Sequence, residues 1–287
     1  MARLASKVVL QYYKTDVRLI PLIAAHLQNG QACTLFDPCA GTGEAVALLA
    51  EQVGDVETYG VEISPKRAAE MKEMVDHAIA APFEETRISN DAFSGLFLNP
   101  PYDFAELQSW TRLETMFLAR ATSKLMPGGV LVFLVPRHIL KDRQAQAYLL
   151  EWYDDLEVYQ TPPEVYAQWK QVIVFGKRKA EKRELRGDQD WESEFDYFDK
   201  ALPPLGEPNT VYRLPRARRR LIFQPQRIPT TAVLNAAHRQ GLPAEAAKLF
   251  EPPKAESWQV RPAIPLKPNQ IAMFLSAGLI GQGGRAV

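Results

Sequence analysis

Short unbroken apolar runs alternate with apolar stripes at helical spacing over the first 180 residues. Ala32-Cys33-Thr34-Leu35-Phe36-Asp37 reads as a short buried strand. Val46, Leu49, Ala50 and Val53 then fall on one face of a helix that begins near Glu44. The alternation repeats: Thr58 to Glu62 as a strand, Pro65 to Ala78 as a helix, Gly95 to Leu98 as a strand, Leu113 to Leu125 as a helix. Gly129 to Pro136 is almost continuously apolar, the pattern of a strand covered on both faces. Leu156-Glu157-Val158-Tyr159 and Gln171-Val172-Ile173-Val174-Phe175 lie close enough in sequence to pair antiparallel at an edge. Ahead of the first strand, Leu19, Leu22, Ile23, His26 and Leu27 mark one more apolar helix. The pattern predicts an α/β fold, a doubly wound and mostly parallel sheet with an antiparallel edge hairpin, spanning residues 1–180.

The pattern breaks after Lys179. Residues 181–200 are highly charged and carry Trp191, Phe195, Tyr197 and Phe198, and proline is dense from Pro203 to Pro268. Residues 181–287 therefore read as a Pro-rich C-terminal extension, a target-recognition or docking module. With 287 residues, 46% of them hydrophobic, the chain can bury one large domain plus such an appendage. Its 34 basic side chains cancel 34 acidic ones, so it does not coat nucleic acid through bulk charge, and any such contact is local. The two cysteines, Cys33 and Cys39, form no Cys-x-x-Cys or Cys/His cluster and read as reduced thiols, with no metal site. The opening Met-Ala-Arg-Leu-Ala-Ser-Lys is not a signal peptide, and no apolar run approaches the roughly 20 residues of a membrane span, so a cytoplasmic protein with no membrane contact is expected.

Chemistry concentrates where strands end. Asp37-Pro38-Cys39-Ala40-Gly41-Thr42-Gly43 follows the first strand, and its glycines permit a tight turn into a helix whose free N–H groups face an anion. A plain strand-to-helix turn or a dinucleotide site would use similar residues, but Gly-x-Gly-x-x-Gly is incomplete, since Glu44-Ala45-Val46 lacks the third glycine. Glu62 closes the second strand, placed to accept two ribose hydroxyls, with Ile63 beside it. Asn99-Pro100-Pro101-Tyr102 follows the later strand Gly95 to Leu98. The Asn99 Oδ1 and the Pro100 carbonyl are acceptors for a planar amino group, the prolines fix their direction, and Tyr102 offers a stacking face. A proline-bounded turn is the bland alternative. Arg218, Arg219 and Arg220, within an Arg-rich run from Arg213, suit phosphates or a solvated strand edge equally.

These motifs together resemble the class I S-adenosylmethionine-dependent methyltransferases, and within them the enzymes that methylate N6 of adenine in DNA. The resemblance spans about residues 10–178, in the motif order of the gamma group with its NPPY motif, and the tail resembles those of methyltransferase-like phage and plasmid proteins. It implies S-adenosylmethionine as cofactor, DNA as partner with RNA as the other nucleic acid, and catalysis by Asn99, Pro100, Pro101 and Tyr102 without metal. It implies cofactor contacts from Tyr13 and Thr15, which in such enzymes close over the methionine end, and from Asp37, Pro38, Ala40, Gly41, Gly43, Glu62, Ile63 and Asn99. Asp91, with Ala92, matches an acidic residue that contacts the cofactor's adenine. Tyr166 and Trp169 match the position of a second aromatic against a flipped base. An RNA or protein-glutamine N-methyltransferase, or a non-catalytic nucleic-acid-binding subunit of the same fold, are the alternatives. Nothing in the pattern specifies an oligomeric state.

Overall fold

The computed structural model describes residues 13–102, 112–185, 201–217 and 220–226. The chain divides into two units, Met1–Arg227 and Ile228–Val287, and the described residues all belong to the first.

Seven strands form the main sheet: β1 (Cys33–Asp37), β2 (Val56–Glu62), β3 (His77–Ala80), β4 (Phe93–Leu98), β5 (Leu125–Pro136), β6 (Tyr153–Gln160) and β7 (Gln171–Arg178). Their order is β3-β2-β1-β4-β5-β7-β6. All are parallel except β7, which runs antiparallel to both β5 and β6. The expected antiparallel pair is therefore present, with β7 inserted between β5 and the edge strand β6. Among the described residues six helices accompany the sheet, α1 (Leu19–Ala25) ahead of β1 and five that connect strands: α2 (Glu44–Val53), α3 (Pro65–Met74), α4 (Leu113–Thr122), α5 (Arg143–Trp152) and α6 (Pro163–Trp169). Among the described residues, none of the helices is long and apolar enough to cross a membrane.

Strand alternation sends side chains into two cores, one on each face. Phe36, Leu96 and Phe133 join Leu118 of α4 and Leu149 of α5, whereas Leu35, Phe97 and Leu134 join Ile23 of α1, Leu49 of α2 and Met71 of α3. The chain winds outward through β2 and β3, then returns to β4 on the other side of β1. That reversal is the switch point where open α/β sheets hold ligands at the strands' carboxyl ends. It sets Pro38–Gly43 beside Asn99–Tyr102, and the Cys39 thiol donates to the Asn99 carbonyl at 3.3 Å.

Two elements differ from the sequence reading. The helix expected to run to Ala78 stops at Met74, because Val75 turns extended (φ −116°, ψ 153°) and frees His77–Ala80 to pair with β2. Asp76 secures that exit by accepting from the Thr58 N–H at 2.8 Å and the Thr58 hydroxyl at 2.7 Å. Helix α5 was not anticipated; the Asp142 side chain caps it by accepting from the Ala145 N–H at 2.9 Å.

Residues 201–217 and 220–226 pack within this unit. Leu205, Tyr212 and Leu214 are buried in the core on the α1 side, and Tyr212–Arg213 pairs in parallel with Leu27–Gln28. Phe223–Pro225 pairs antiparallel with Thr86–Ile88.

Candidate active site

A cavity of about 260 Å³ opens at the carboxyl ends of β1 to β4. Pro38 and Cys39 line it after β1, Glu62 and Ile63 at the end of β2, Ala81 to Phe83 after β3, and Asn99 and Pro101 after β4. Glu62 is 4% exposed, and its carboxylate ties the loops together. One oxygen accepts from the Gly41 N–H at 3.0 Å; the other accepts from the Ser64 N–H and from Arg67, both at 2.7 Å. A carboxylate oxygen has two lone pairs, so the one holding Gly41 can also accept a hydroxyl from the cavity. Ile63, 64% exposed, supplies an apolar wall next to it.

A smaller polar pocket of about 20 Å³ adjoins this cavity, sharing Tyr13, Cys39 and Asn99 with it and adding Lys14, Thr15, Asp37, Ala40, Thr42 and Glu44. Lys14 pairs with Glu44 at 2.6 Å, joining the segment before α1 to the first turn of α2. Gly43 starts that helix at φ 80°, and a Cβ there would meet Val75 Cγ1 at 3.0 Å, so glycine suits both the backbone and the packing. Asp37 is buried. Burial, reinforced by the neighbouring charge of Glu62 and opposed by the Cys39 N–H, pushes its carboxyl up to about 7. An apolar wall, a carboxylate for a diol and a second carboxylate in a polar recess together fit a cofactor with a planar ring, a ribose and a charged amino-acid end.

Asn99 stands where the two spaces meet. Its Nδ2 donates to the Tyr13 carbonyl and to the Thr15 hydroxyl, both at 2.9 Å, while its Oδ1 accepts from the Tyr102 hydroxyl at 2.8 Å. The Tyr102 hydroxyl in turn accepts from Gln171 Nε2 at 2.6 Å, and burial pushes its pKa upward. The Tyr13 ring stacks on Tyr102 with centroids 4.5 Å apart and meets Trp169 edge-on at 5.2 Å.

On the far side of Tyr13 and Tyr102 lies a third, open cavity of about 650 Å³. Tyr166 and Trp169 line it, with Arg112, Arg137, His138 and Lys170; among the described residues no carboxylate does. Lys170 terminates α6 in the left-handed region (φ 49°), and its carbonyl accepts from the Arg137 N–H at 2.8 Å, which holds the two cationic residues side by side. Arg112 is paired with the buried Glu114 at 2.9 Å. Burial, then the Arg112 charge, lowers the His138 pKa, so that ring favours its neutral form.

Most of the expected site residues converge on these three spaces. Asn99, Pro101, Tyr13, Pro38, Glu62 and Ile63 line the first, Thr15, Asp37 and Ala40 the second, and Tyr102, Tyr166 and Trp169 the third. Pro100 is buried, and Gly41 and Gly43 shape the turn without lining any of the three spaces. Asp91 and Ala92 are a correction. They precede β4, at the amino ends of the strands and opposite the cavities, where Asp91 pairs with Arg178 and its N–H donates to the Ser123 carbonyl. At the carboxyl ends of the strands the first cavity is lined by Ala81-Pro82-Phe83, which follow β3, the strand that the apolar spacing reads as helix. Arg220 lies before Phe223–Pro225 and lines none of these spaces; Arg218 and Arg219 lie outside the described residues. Cys39, Arg67, Arg137, Lys170 and Gln171 were missed. The rule that ligands gather at strand carboxyl ends finds Cys39 once β1 is drawn, but the others depend on the order of the strands.

The sequence matches, over residues 1–217, a family described as an uncharacterised methyltransferase family (DUF6094). No curated protein matches it. Similar solved structures include a protein of Listeria monocytogenes assigned to the class I S-adenosylmethionine-dependent methyltransferases, 13% identical, with TM-score 0.48 over 87% of this chain and 77% of that one. The methyltransferase subunit of a type I restriction-modification system from Streptococcus thermophilus is 17% identical, with TM-score 0.46 over 66% of this chain and 53% of its own. TYW2 of M. jannaschii, solved with AdoMet, is 17% identical, with TM-score 0.43 over 60% of this chain and 80% of its own.

Proposed function

Since the chain belongs to an uncharacterised methyltransferase family, we propose that it moves the methyl group of S-adenosylmethionine to the exocyclic N6 amine of adenine in nucleic acid, with DNA as the acceptor. The observation that carries this reading is the position of Asn99-Pro100-Pro101-Tyr102, between a cavity at the strand ends and an open one lined by aromatic and cationic side chains.

S-adenosylmethionine, when bound, supplies a methyl group already activated on a sulfonium. Glu62 would accept the ribose hydroxyls, Ile63 and Phe83 would flank the adenine, and Asp37 and Thr15 would receive the charged amino-acid end. The amine of adenine is a poor nucleophile because its lone pair is delocalised into the ring. The Asn99 Oδ1 and the Pro100 carbonyl accept its N–H hydrogens and favour a pyramidal nitrogen, so that positioning and fixed dipoles supply the rate. Tyr102, Tyr166 and Trp169 offer faces for a base swung out of a duplex, which costs a few kcal/mol. Arg137 and Lys170 border that space, as phosphates flanking the base require. A slender glutamine amide would use neither the aromatic faces nor the cations.

Mass spectrometry of nucleosides tests this, using DNA from a methylation-deficient host that expresses the chain or its Asn99→Ala variant. N6-methyladenine that appears with the native chain alone is the expected result. Its absence from DNA together with its presence in RNA would move the acceptor; absence from both, with cofactor binding intact, would overturn the reading.

A further inference from the structure

The hydrogen bonds around Asn99 admit one polarity. The Tyr13 main-chain carbonyl can only accept, so the Asn99 atom facing it at 2.9 Å must be the nitrogen. Both Nδ2 hydrogens are then used, on Tyr13 and on the Thr15 hydroxyl, and Oδ1 necessarily faces Tyr102. An amide oxygen cannot donate, so the single hydroxyl hydrogen of Tyr102 lies on Oδ1, 2.8 Å away. The 2.6 Å contact from Gln171 must therefore be an N–H donated to the Tyr102 oxygen, since that oxygen has no second hydrogen to give. A main-chain carbonyl thus orients three groups in series, the Asn99 amide, the Tyr102 hydroxyl and the Gln171 amide, and Gln171, 4% exposed and rooted at the start of β7, closes the chain.

We propose that Gln171 is a positioning residue: through the Tyr102 hydroxyl it holds the Asn99 carbonyl toward the acceptor amine. This rests on the assignment of Asn99 as the acceptor of the amine's hydrogens. Of the two lone pairs on Oδ1, Tyr102 occupies one, leaving the other for the substrate. If Asn99 rotated by half a turn it would present N–H groups to an amine that has hydrogens to give, and no productive contact would form. Gln171 opposes this rotation without touching the substrate. A chain of donors also strengthens each member, so losing the terminal one weakens the Tyr102 to Asn99 bond.

The test is a double-mutant cycle of Gln171→Leu and Tyr102→Phe, read in kcat, in cofactor affinity and in unfolding free energy. Tyr102→Phe keeps the stacking ring and removes the hydroxyl. Gln171→Leu alone should lower kcat by about tenfold, the size expected for one misdirected hydrogen bond, with the affinity for S-adenosylmethionine unchanged. In the Tyr102→Phe background it should lower kcat no further. Gln171→Glu, whose carboxylate would pull the Tyr102 hydrogen off Oδ1, should lower kcat at least as much above the carboxylate's own titration. Equal effects of Gln171→Leu in both backgrounds, or an unchanged kcat, would overturn the proposal while leaving the function standing. If the native chain transfers no methyl group to adenine, the function fails instead. The stability arm then still decides the contact: coupling between the two substitutions upholds the Gln171 to Tyr102 bond, and additivity removes it.

Discussion

Asp37 is the residue whose ionisation most directly links the fold to the proposed ligand. Its folded pKa, raised by burial to about 7, stands well above the unfolded carboxyl's value of about 3.9. Between those values the folded state holds a proton that the unfolded state has released. Stability therefore falls as pH rises through that window and levels off above it. Binding the cationic α-ammonium of the amino-acid end favours the carboxylate, so affinity for S-adenosylmethionine should climb with pH, by at most tenfold per unit, until about 7. Calorimetric titration from pH 5.5 to 8 in two buffers of different ionisation enthalpy would show the accompanying proton release. Asp37→Asn should flatten the profile. A native profile that is already flat would mean that Asp37 does not meet the charged end. Asn99→Ala acts differently: it deletes the acceptor of the amine's hydrogens, yet it also releases the Tyr13 carbonyl and the Thr15 hydroxyl, so transfer should vanish with a smaller loss of cofactor affinity.

At the scale of elements, the two ends of the sheet make opposite predictions for cofactor binding. Asp91 sits at the amino end, against Arg178, which is itself only 8% exposed in its side chain. Asp91→Ala should leave cofactor affinity unchanged and cost roughly 1–2 kcal/mol of stability, a buried-pair penalty discounted because Asp91 is partly solvated. Phe83→Ala, at the carboxyl end of β3, should weaken the cofactor and also cost stability, since Phe83 packs on Phe36 and Phe117. Isothermal titration beside denaturant melts separates the two; a Kd that rises with Asp91→Ala would restore that residue to the site. This contrast also marks how far the sequence could be read. Long apolar runs such as Val130 to Val135 announce themselves, and a motif fixed to such a run, like Asn99 after Leu98, is placed correctly. β3 could not be read, because His77-Ala78-Ile79-Ala80 is short and alanine-rich and carries on the apolar spacing of Met71 and Val75. With β3 absorbed into a helix, the acidic residue before the next strand took its place. Gln171 was invisible for another reason: a strand's first residue gains meaning only when β7 enters between β5 and β6.

For the whole molecule, the segment after residue 200 decides what counts as the folded unit. Leu205, Tyr212 and Leu214 are each 5% exposed or less. Burying such side chains stabilises by about 1.5–3 kcal/mol each, so losing three approaches the 5–15 kcal/mol of a typical domain. A chain ending at residue 180 should unfold without a cooperative transition, whereas one ending at Arg227 should melt sharply; equal melts would strip this segment of its role. Charge is the other molecular property. Because 34 basic and 34 acidic residues cancel, attraction to a polyanion depends on where cations sit, and Arg137 and Lys170 sit at the acceptor space. Each phosphate contact contributes about one unit to the slope of log affinity against log salt. The double variant Arg137→Gln with Lys170→Gln should therefore lower that slope by about two in anisotropy titrations with a double-stranded oligonucleotide, at unchanged affinity for S-adenosylmethionine. Arg220→Gln, remote from that space, should leave the slope as it is. The opposite pattern, a slope sensitive to Arg220 and indifferent to Arg137 and Lys170, would move nucleic-acid contact away from the aromatic cavity and with it the entry route of the target base.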